Sequence, residues 1–473
     1  EQLEAVINQL EFQVLLPDEP KGLMRNITAL NAWLYGGDPM LYLTHGELFA
    51  ALRQAIGSGY YEDLLREVIL DGSNMAEVYL LPSKTKGDEE RRLEHERLAY
   101  AYSKWTAQER DAVLAMNRRL ESWQSTEDTP EALGCLPVLS LTEVSSDPQR
   151  IITEEFTVDG RKVLLHKVDG NGIVHINLYF SLADFQPEDL SAISFMTNLL
   201  GELPTVNHSV LEMQQQIKRN IGTIDYNVTA YSKKGDITQC RPYFAVSCSV
   251  LEERVPAAMA LITEILTDTV FTGENAAEAI GEVLLQGGEG MRQSVMMDGH
   301  RFASRRAMAH FSASAAAQEQ MEGYSFYVWL RDFAADMPGQ MEAFQCFAEQ
   351  AADRIFHSGR LTLSVTAKER ALEAETILSL LDKNREQIPE FMEVSVDGMA
   401  VKEAIQIPAG ISYAVSAGNL LRYGGSYDGG LAVLATILSY GYLWNEVRVQ
   451  GGAYGAGMRI SGNRGIHILG LQG

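Results

Sequence analysis

The sequence lacks the short motifs that mark stand-alone catalytic centres. It has no Gly-x-x-x-x-Gly-Lys-Ser/Thr phosphate loop and no Gly-x-Ser-x-Gly nucleophile elbow. A helical zinc site needs two histidines one turn apart so that both point from one face, and neither His-Glu-x-x-His nor His-x-x-Glu-His occurs. We therefore expect no metal site among the residues of this chain.

Cysteine is scarce, and its four residues are scattered at Cys135, Cys240, Cys248 and Cys346. The absence of a Cys-x-x-Cys pair argues against a zinc knuckle and a disulfide framework, so a reducing compartment is expected. No apolar run reaches the roughly 18 residues of a membrane span, and the first residues do not form a signal peptide. We expect no membrane partner and a cytoplasmic location, or an organellar matrix if a transit peptide has been removed.

Basic residues are outnumbered, because Lys and Arg total 39 while Asp and Glu total 63, for a net charge of -24. Such a charge repels nucleic acid and anionic membranes and attracts cationic peptides. We therefore expect no nucleic-acid partner. The alternative interpretation is the ordinary acidity of many cytoplasmic proteins.

The overall composition is that of a globular protein, with 46% hydrophobic and 22% charged residues. At about 150 residues per domain, a chain of 473 residues predicts roughly three folded units. The chain begins in a helical pattern without a capping approach and stops just after a predicted strand. We therefore expect it to be a piece of a longer protein.

The N-terminal part is predicted to be helical, with an amphipathic helix over Gly22–Tyr35 and a closing strand at Ala76–Leu81. The segment Asp88–Asp128 carries alternating charges and a capping box formed by Thr106 and Glu109, and a proline-containing linker follows it. This pattern predicts two antiparallel helices and a linker. We interpret it as a solvated helical hairpin that spaces two domains.

Residues 151–400 alternate β-branched and aromatic residues with polar ones in short runs, the pattern of an α+β domain. Helices are predicted at Ser191–Leu203, at Pro256–Thr269 and after the last strand. The turn Gly170-Asn171-Gly172 lacks the third glycine of a dinucleotide loop and predicts a hairpin. The predicted strands are Arg161–Val168, Val174–Phe180, Asp225–Tyr231, Tyr243–Val250 and Arg360–Val365.

Part of this pattern is predicted a second time after residue 400. In both copies a strand is followed by an aspartate (Asp184 or Asp428), then by a helix that ends in Ile217–Gly222 or Val447–Gly452, then by another strand. The first strand of the second copy is predicted at Ile411–Ala417. We expect one supersecondary unit to be used twice.

The stretch Leu443–Gly455, which reads Leu-Trp-Asn-Glu-Val-Arg-Val-Gln-Gly-Gly-Ala-Tyr-Gly, carries the candidate functional residues. Gly451 and Gly452 predict a helix end that turns the chain into a strand, with Arg448 in the last helical turn and Tyr454 at the strand start. Both side chains donate hydrogen bonds, and such a pair suits a carbonyl that becomes an oxyanion during peptide hydrolysis. The alternative is that Arg448 caps helix carbonyls and Tyr454 packs in a core.

This stretch is very similar to a segment in the C-terminal half of the insulinase/pitrilysin zinc peptidases, where an arginine and a tyrosine complete the active site. The acidic hairpin resembles the linker of the presequence-protease branch, which includes falcilysin, and the resemblance covers essentially the whole chain. It implies an α+β fold of repeated insulinase-type domains, each an antiparallel sheet with helices on one face, joined by a helical hairpin linker. The implied boundaries are 1–86 for the end of the second domain, 87–150 for the hairpin and linker, 151–400 for the third domain and 401–473 for the start of the fourth.

For function, the resemblance implies a clamshell of two halves in which unfolded peptides are cut by zinc held in the first domain. Arg448 and Tyr454 would bind the substrate carbonyl and stabilise the tetrahedral intermediate, while Gly451 and Gly452 would shape the turn that presents them. The first domain, with all zinc ligands and the general base, is absent from this sequence. We therefore expect the N-terminal half of the same protein as a partner, zinc only in the full-length protein, and no activity from this chain alone.

Two other hypotheses remain open. A non-catalytic scaffold or partner subunit of the same fold would lack the zinc motif upstream, although such a protein has no need of both Arg448 and Tyr454. A free-standing peptide-binding module would instead pair a peptide with an exposed strand edge. The presence of the inverted zinc motif upstream in the parent protein favours the peptidase, and its absence favours the scaffold.

Overall fold

The computed structural model of the chain describes residues 2–16, 20–71, 76–147, 150–170, 172–368, 388–396, 401–420, 424–461 and 466–472. Contacts divide the chain into two compact units, Gly57–Arg150 on the one hand and Glu1–Ile56 with Ile151–Gly473 on the other. The four domain boundaries implied by the sequence stay a prediction.

Seven helices lie in the described residues up to residue 150. Three of them belong to the larger unit, and the other four form the unit Gly57–Arg150. The first three are α1 Gln2–Leu15, α2 Lys21–Trp33 and α3 Gly46–Gln54; the next four are α4 Tyr60–Leu65, continued by a π-helical turn over Arg66–Leu70, α5 Lys86–Lys104, α6 Ala107–Ser125 and α7 Pro130–Leu133. Helix α2 confirms the helix predicted at Gly22–Tyr35.

The capping box of α6 forms as predicted. The Glu109 amide donates to the Thr106 hydroxyl at 3.2 Å, and the Thr106 amide donates to the Glu109 carboxylate at 2.7 Å. These bonds satisfy amides that have no partner within the helix. Neither α5 nor α6 has a buried residue, so both helices are solvated, as their charge pattern predicted.

The strand predicted at Ala76–Leu81 is wrong. The segment joins no described strand, and Leu80 is 91% exposed. Its alternation of apolar and polar residues is typical of a strand, but an extended segment becomes part of a sheet only when a neighbouring strand satisfies its backbone groups. No described strand of this unit supplies that neighbour.

The larger unit is built around a seven-stranded mixed sheet whose path runs β1-β2-β6-β3-β5-β4, with β7 paired to β5. The strands are β1 Thr153–Val158, β2 Arg161–Lys167, β3 Ile173–Ser181, β4 Thr223–Lys233, β5 Asp236–Leu251, β6 Leu361–Ala367 and β7 Met392–Glu393. All five predicted strands of this domain are present. The α+β fold class predicted from the sequence is therefore confirmed.

Three details of the sheet differ from the sequence prediction. Strand β1 was not predicted, and it pairs with β2 across a tight turn in which Asp159 and Gly160 both have positive φ, as such two-residue hairpins require. The pairs are antiparallel except β2 with β6, which is parallel. Because β6 lies between β2 and β3, the turn around Gly170 and Gly172 joins strands that are not neighbours and is no hairpin; its Asn171 lies outside the described residues.

Helices cover one face of this sheet. The helices of this part of the chain are α8 Leu190–Met196, α9 Val210–Asn220, α10 Val255–Thr267, α11 Glu274–Met297, α12 Gly299–Ala309, α13 Ala313–Glu322, α14 Tyr324–Ala335 and α15 Met337–Ile355. Helix α8 ends earlier than the predicted Ser191–Leu203, and Gly201 in the turns that follow has a φ of +84°. The helix predicted after the last strand lies outside the described residues.

The core lies between these helices and the sheet. Along β2, β3 and β5 the buried side chains alternate with less buried ones, as expected for strands with one covered face. Phe195 of α8 is fully buried, with its ring centroid 6.2 Å from that of Phe333 and 5.3 Å from that of Phe344. Phe180 of β3 likewise meets Phe356 edge to face at 5.4 Å.

A smaller sheet repeats part of this topology. Strands β8 Tyr413–Asn419, β9 Gly455–Ser461 and β10 Ile466–Gln472 lie in the order β8-β10-β9, and helix α16 Gly429–Ile437 with a π-helix at Leu438–Gln450 connects β8 to β9. The first copy has the matching order β3-β5-β4 with α8 and α9 between β3 and β4. The predicted second use of one supersecondary unit is therefore seen in the strand order.

Two side chains fasten the smaller sheet to α12. The Tyr413 hydroxyl lies 3.0 Å from the Met296 carbonyl and 2.9 Å from the Met297 carbonyl. Buried Asn419 donates to the Phe311 carbonyl at 3.2 Å. Met296 and Met297 end α11 and Phe311 lies two residues after α12, so these bonds tie β8 to the backbone on both sides of α12.

A buried ion pair ties the end of β3 to the start of β6. Arg360 is buried and donates to Asp184 at 2.8 Å, while Arg354 donates to the same carboxylate at 2.6 Å. Burial raises the pKa of Asp184, but the hydrogen bonds and charges of Arg360 and Arg354 outweigh that effect and lower the pKa to about 2.

Replacing Phe195 by alanine should lower the free energy of unfolding by about 3–5 kcal/mol, because the change leaves a cavity among the rings of α14 and α15. Leu211→Ala is the matched control, since Leu211 lies on the exposed side of α9, and it should change the free energy little. Urea unfolding followed by circular dichroism measures both. Equal losses for the two variants would contradict the assigned core.

Asp184→Asn should lower the free energy of unfolding at pH 7 by roughly 3–5 kcal/mol, because it leaves the buried Arg360 charge without its partner. The folded-state pKa of Asp184, about 2, lies below its ordinary value of 3.8, so this stabilisation is present above pH 3.8 and is lost as the pH falls toward 2. The stability gap between wild type and variant should therefore shrink over that window. A gap that stays constant in acid would disprove the ion pair's contribution.

Candidate functional site

The site predicted from the sequence lies where the π-helix ends and β9 begins. The amides of Gly451, Gly452 and Ala453 donate to the carbonyls of Glu446, Arg448 and Val447, at 3.1, 3.0 and 3.1 Å respectively. These three bonds satisfy carbonyls of the last helical turn, which have no partner further along the helix. The chain therefore leaves the helix at a defined angle.

Both glycines are required at this turn, for different reasons. Gly452 has a φ of +74°, the left-handed region that costs other residues about 1–2 kcal/mol. Gly451 has an ordinary φ, but a Cβ atom there would lie 2.6 Å from the Val447 carbonyl oxygen. The predicted helix stop at these two positions is thus confirmed.

The turn brings Arg448 and Tyr454 together. The Arg448 Cζ atom lies 5.5 Å from the centroid of the Tyr454 ring. Tyr454 is 75% exposed, so it does not pack in the core of the described chain. Among the described residues no carboxylate pairs with Arg448 and no carbonyl accepts a bond from its guanidinium, so the helix-capping alternative is not seen either.

Trp444 is a third member of the site. It lies in the stretch Leu443–Gly455 but was not predicted as a functional residue. The Arg448 Cζ atom lies 4.4 Å from the centroid of its ring, within the range of a cation–π interaction. The Tyr440 ring is also near Trp444, with ring centroids 6.4 Å apart. The spacing of Trp444 and Arg448 in the sequence indicates this contact, because side chains four positions apart on a helix are neighbours.

The π-helix is anchored to β9 by a serine. The Ser439 hydroxyl donates to the Met458 carbonyl at 3.2 Å and accepts from the Met458 amide at 2.8 Å. Ala435 and Leu443 are the buried residues of α16 and the π-helix. Together these contacts hold the exposed side of the helix, with Trp444 and Arg448, next to the start of β9.

The corresponding turn of the first copy is closed. Gly222 matches Gly452 in that copy. A Cβ atom there would lie 2.2 Å from the ring of Phe12, a buried residue of α1. At Gly452 nothing lies within 4 Å of the corresponding position. Counted back from the glycines, Lys218 occupies the place of Arg448. Only the second copy therefore combines the arginine with an open turn.

The described residues contain no candidate metal-binding cluster. No three side chains of His, Cys, Asp or Glu lie close enough there to hold a metal ion. Cys240 and Cys248 are buried in β5, and burial raises the pKa of each thiol to about 12, so neither supplies a thiolate at neutral pH. Nor is any helix in the described part of the chain both long and apolar enough to cross a bilayer.

Comparison with known proteins gives two family matches. Residues 80–333 match the family model for the region associated with peptidases of family M16, subfamily C, and residues 402–469 match the model described as PreP C-terminal domain. The first match covers more than half of the chain and includes helices α5 and α6 and most of the large sheet. The second covers the site at Arg448 and Tyr454.

Relatives align along almost the entire chain. Protein HypA of Clostridium perfringens is 26% identical over 99% of this chain and 48% of its own length. Presequence protease 1, chloroplastic/mitochondrial, of Arabidopsis thaliana is 25% identical over 98% of this chain and 44% of its own length. The chain thus spans about half the length of these relatives.

Among solved structures, a peptidase M16 inactive domain from Pseudomonas fluorescens matches with a TM-score of 0.45 and 17% identity, over 68% of this chain and 74% of that one.

Most of the large sheet and the turn at Gly451 and Gly452 lie within the residues that match these two family models. The chain belongs to the family of regions associated with M16 peptidases of subfamily C. The resemblance to the insulinase/pitrilysin peptidases and their presequence-protease branch is confirmed.

Replacing Gly452 by alanine should destabilise the turn by about 1–2 kcal/mol, because alanine resists a φ of +74°. Gly455→Ala is the control, since a Cβ atom at Gly455 meets nothing within 4 Å and its φ is not positive. Hydrogen exchange of the amides of residues 451–453 should become faster in the first variant and stay unchanged in the second. Equal protection in both would show that the left-handed turn is not formed.

Proposed function

We propose that this chain is the C-terminal part of a zinc metalloendopeptidase that degrades short unstructured peptides in a closed chamber. Its own contribution is the pair Arg448 and Tyr454, which binds the carbonyl of the bond to be cut. The observation that carries the proposal is the open turn on which the guanidinium and the phenol lie side by side, 5.5 Å apart by Cζ and ring centroid.

The chemistry follows from the donors. Attack of water on a peptide carbonyl moves negative charge onto the carbonyl oxygen, and donors placed at that oxygen stabilise the transition state more than the ground state. Arg448 offers the N–H groups of its guanidinium, while Tyr454 offers a phenolic O–H group. Tyr454 is exposed, and Gly451 and Gly452 shape the turn that presents both side chains.

The zinc ion and the general base are assigned to the half of the protein that this chain does not contain. The described residues offer no group of three ligands, so they do not fit the metal, and the chain's part in the reaction is confined to the carbonyl. The N-terminal half of the same protein is therefore the partner that completes the site. This chain alone is expected to be inactive.

The substrate class follows from charge and accessibility. A net charge of -24 attracts cationic peptides by long-range electrostatics, and an unfolded peptide presents the backbone carbonyl that a folded protein hides. The four cysteines carry no disulfide, which suits a reducing compartment such as the cytoplasm or an organellar matrix.

The test is cleavage of a fluorogenic peptide by this chain, by the upstream half of its parent protein and by the two mixed, with zinc content measured in each. Activity is expected only in the mixture. Tyr454→Phe should then lower kcat on the order of 100-fold, the effect of removing one oxyanion donor. Tyr442→Phe, on the exposed side of the same helix, should retain full activity.

Either of two outcomes would overturn the proposal. Activity of this chain alone would reveal a catalytic site of another kind. An intact, zinc-loaded parent protein without peptidase activity would favour the non-catalytic scaffold, which needs neither donor.

A further inference from the structure

Arg448 is held by aromatic faces. Its Cζ atom lies 4.4 Å from the Trp444 ring centroid and 5.5 Å from that of Tyr454. No carboxylate of the described chain pairs with it. Most described arginines that have a close partner are instead bound by Asp or Glu, as Arg360 is by Asp184.

A carboxylate partner and an aromatic partner contact different parts of a guanidinium, and only the carboxylate occupies its N–H donors. The N–H groups of a guanidinium lie in its plane and point outward from its edge, so a carboxylate partner occupies them. An aromatic ring contacts the face and occupies none. An arginine held by its face is therefore fixed in place while its edge stays free to donate to a substrate.

An arginine that nothing holds would bind a carbonyl less well. Its side chain loses rotamer entropy when a substrate fixes it, and that loss weakens binding. Trp444 lies about one helical turn before Arg448 and presents its ring face to the guanidinium, 4.4 Å from ring centroid to Cζ. The Tyr440 ring lies 6.4 Å from that of Trp444.

The first copy of the repeated unit offers a comparison within the same chain. Counted from the matching glycines, Gln214 and Lys218 occupy the places of Trp444 and Arg448, and Ile224 occupies that of Tyr454. In that copy the turn is closed by Phe12. The aromatic face, the arginine and the tyrosine thus occur together only at the open turn.

We propose that Trp444 is a positioning residue that holds the Arg448 guanidinium by its face and leaves its N–H edge free for the substrate carbonyl. The inference rests on the proposed function and deepens it. Trp444 acts through Arg448 and does not itself touch the reacting atoms.

The experiment uses the full-length, zinc-loaded parent protein and the fluorogenic peptide. Trp444→Leu keeps an apolar side chain but removes the aromatic face, and it should lower kcat/KM by about 3- to 30-fold. Trp444→Phe restores a face and should recover most of the loss. Val449→Ala, an exposed neighbour on the same helix, is the control and should have no effect.

The double variant separates positioning from a general structural role. If Trp444 acts through Arg448, Trp444→Leu should lower kcat/KM little further in a protein that already carries Arg448→Ala. Losses that multiply in the double variant, or equal activity of the Leu and Phe variants, would overturn the inference. Thermal unfolding of each variant shows that the comparison is made on folded protein.

Failure of this inference is distinguishable from failure of the proposed function. If Arg448→Ala alone leaves kcat/KM unchanged, the assignment of the carbonyl site is wrong and the positioning role is wrong with it. If Arg448→Ala is severely impaired while Trp444→Leu matches wild type, the carbonyl site stands and only the positioning role is rejected.

Discussion

Burial of one face of the large sheet is the constraint on which the rest of the fold depends. Its strands alternate buried with less buried positions, so helices must cover the apolar side. Phe195 and the rings around it fill the layer between. Tyr413 and Asn419 of the smaller sheet bond to the carbonyls of Met296 and Phe311, which flank α12, and α12 packs on β8. The smaller sheet is therefore positioned by this helix.

The candidate site adds a second, local constraint. The chain can pass from the helix into the strand at this angle only if one residue tolerates a left-handed φ. A second residue must have no side chain that would collide with the preceding carbonyl. Gly452 and Gly451 meet these two requirements in turn. The donors Arg448 and Tyr454 face each other as a consequence of that turn, and Trp444 faces Arg448 as a consequence of helical spacing.

The two copies of the supersecondary unit contain turns with different surroundings. In the first, helix α1 lays Phe12 on Gly222, and the residues at the donor positions are Lys218 and Ile224. In the second, the corresponding surface is open. The same backbone design thus serves packing in one copy and is available to a ligand in the other, which agrees with the rule that function is carried by sites rather than by folds.

The prediction succeeded where local chemistry decides. Period-two alternation located all five strands predicted in the large domain, and the capping box fixed the start of α6, because both signals depend on neighbouring residues alone. It failed at Ala76–Leu81, where a strand-like pattern found no partner, and at the turn between β2 and β3, where β6 is inserted. Strand neighbours come from distant parts of the chain, so local patterning does not specify them.

By itself, the sequence determined the class of fold, the repeat, the glycine turn and the identity of the two candidate donors. Only the tertiary structure decided that Arg448 is held by the face of Trp444, that Tyr454 is exposed, and that the matching turn of the first copy is filled by Phe12. Local backbone conformation depends on residue types a few positions apart, so a sequence predicts it. Exposure and ring contacts depend on which distant segments of the chain lie next to one another, and only the tertiary structure shows that.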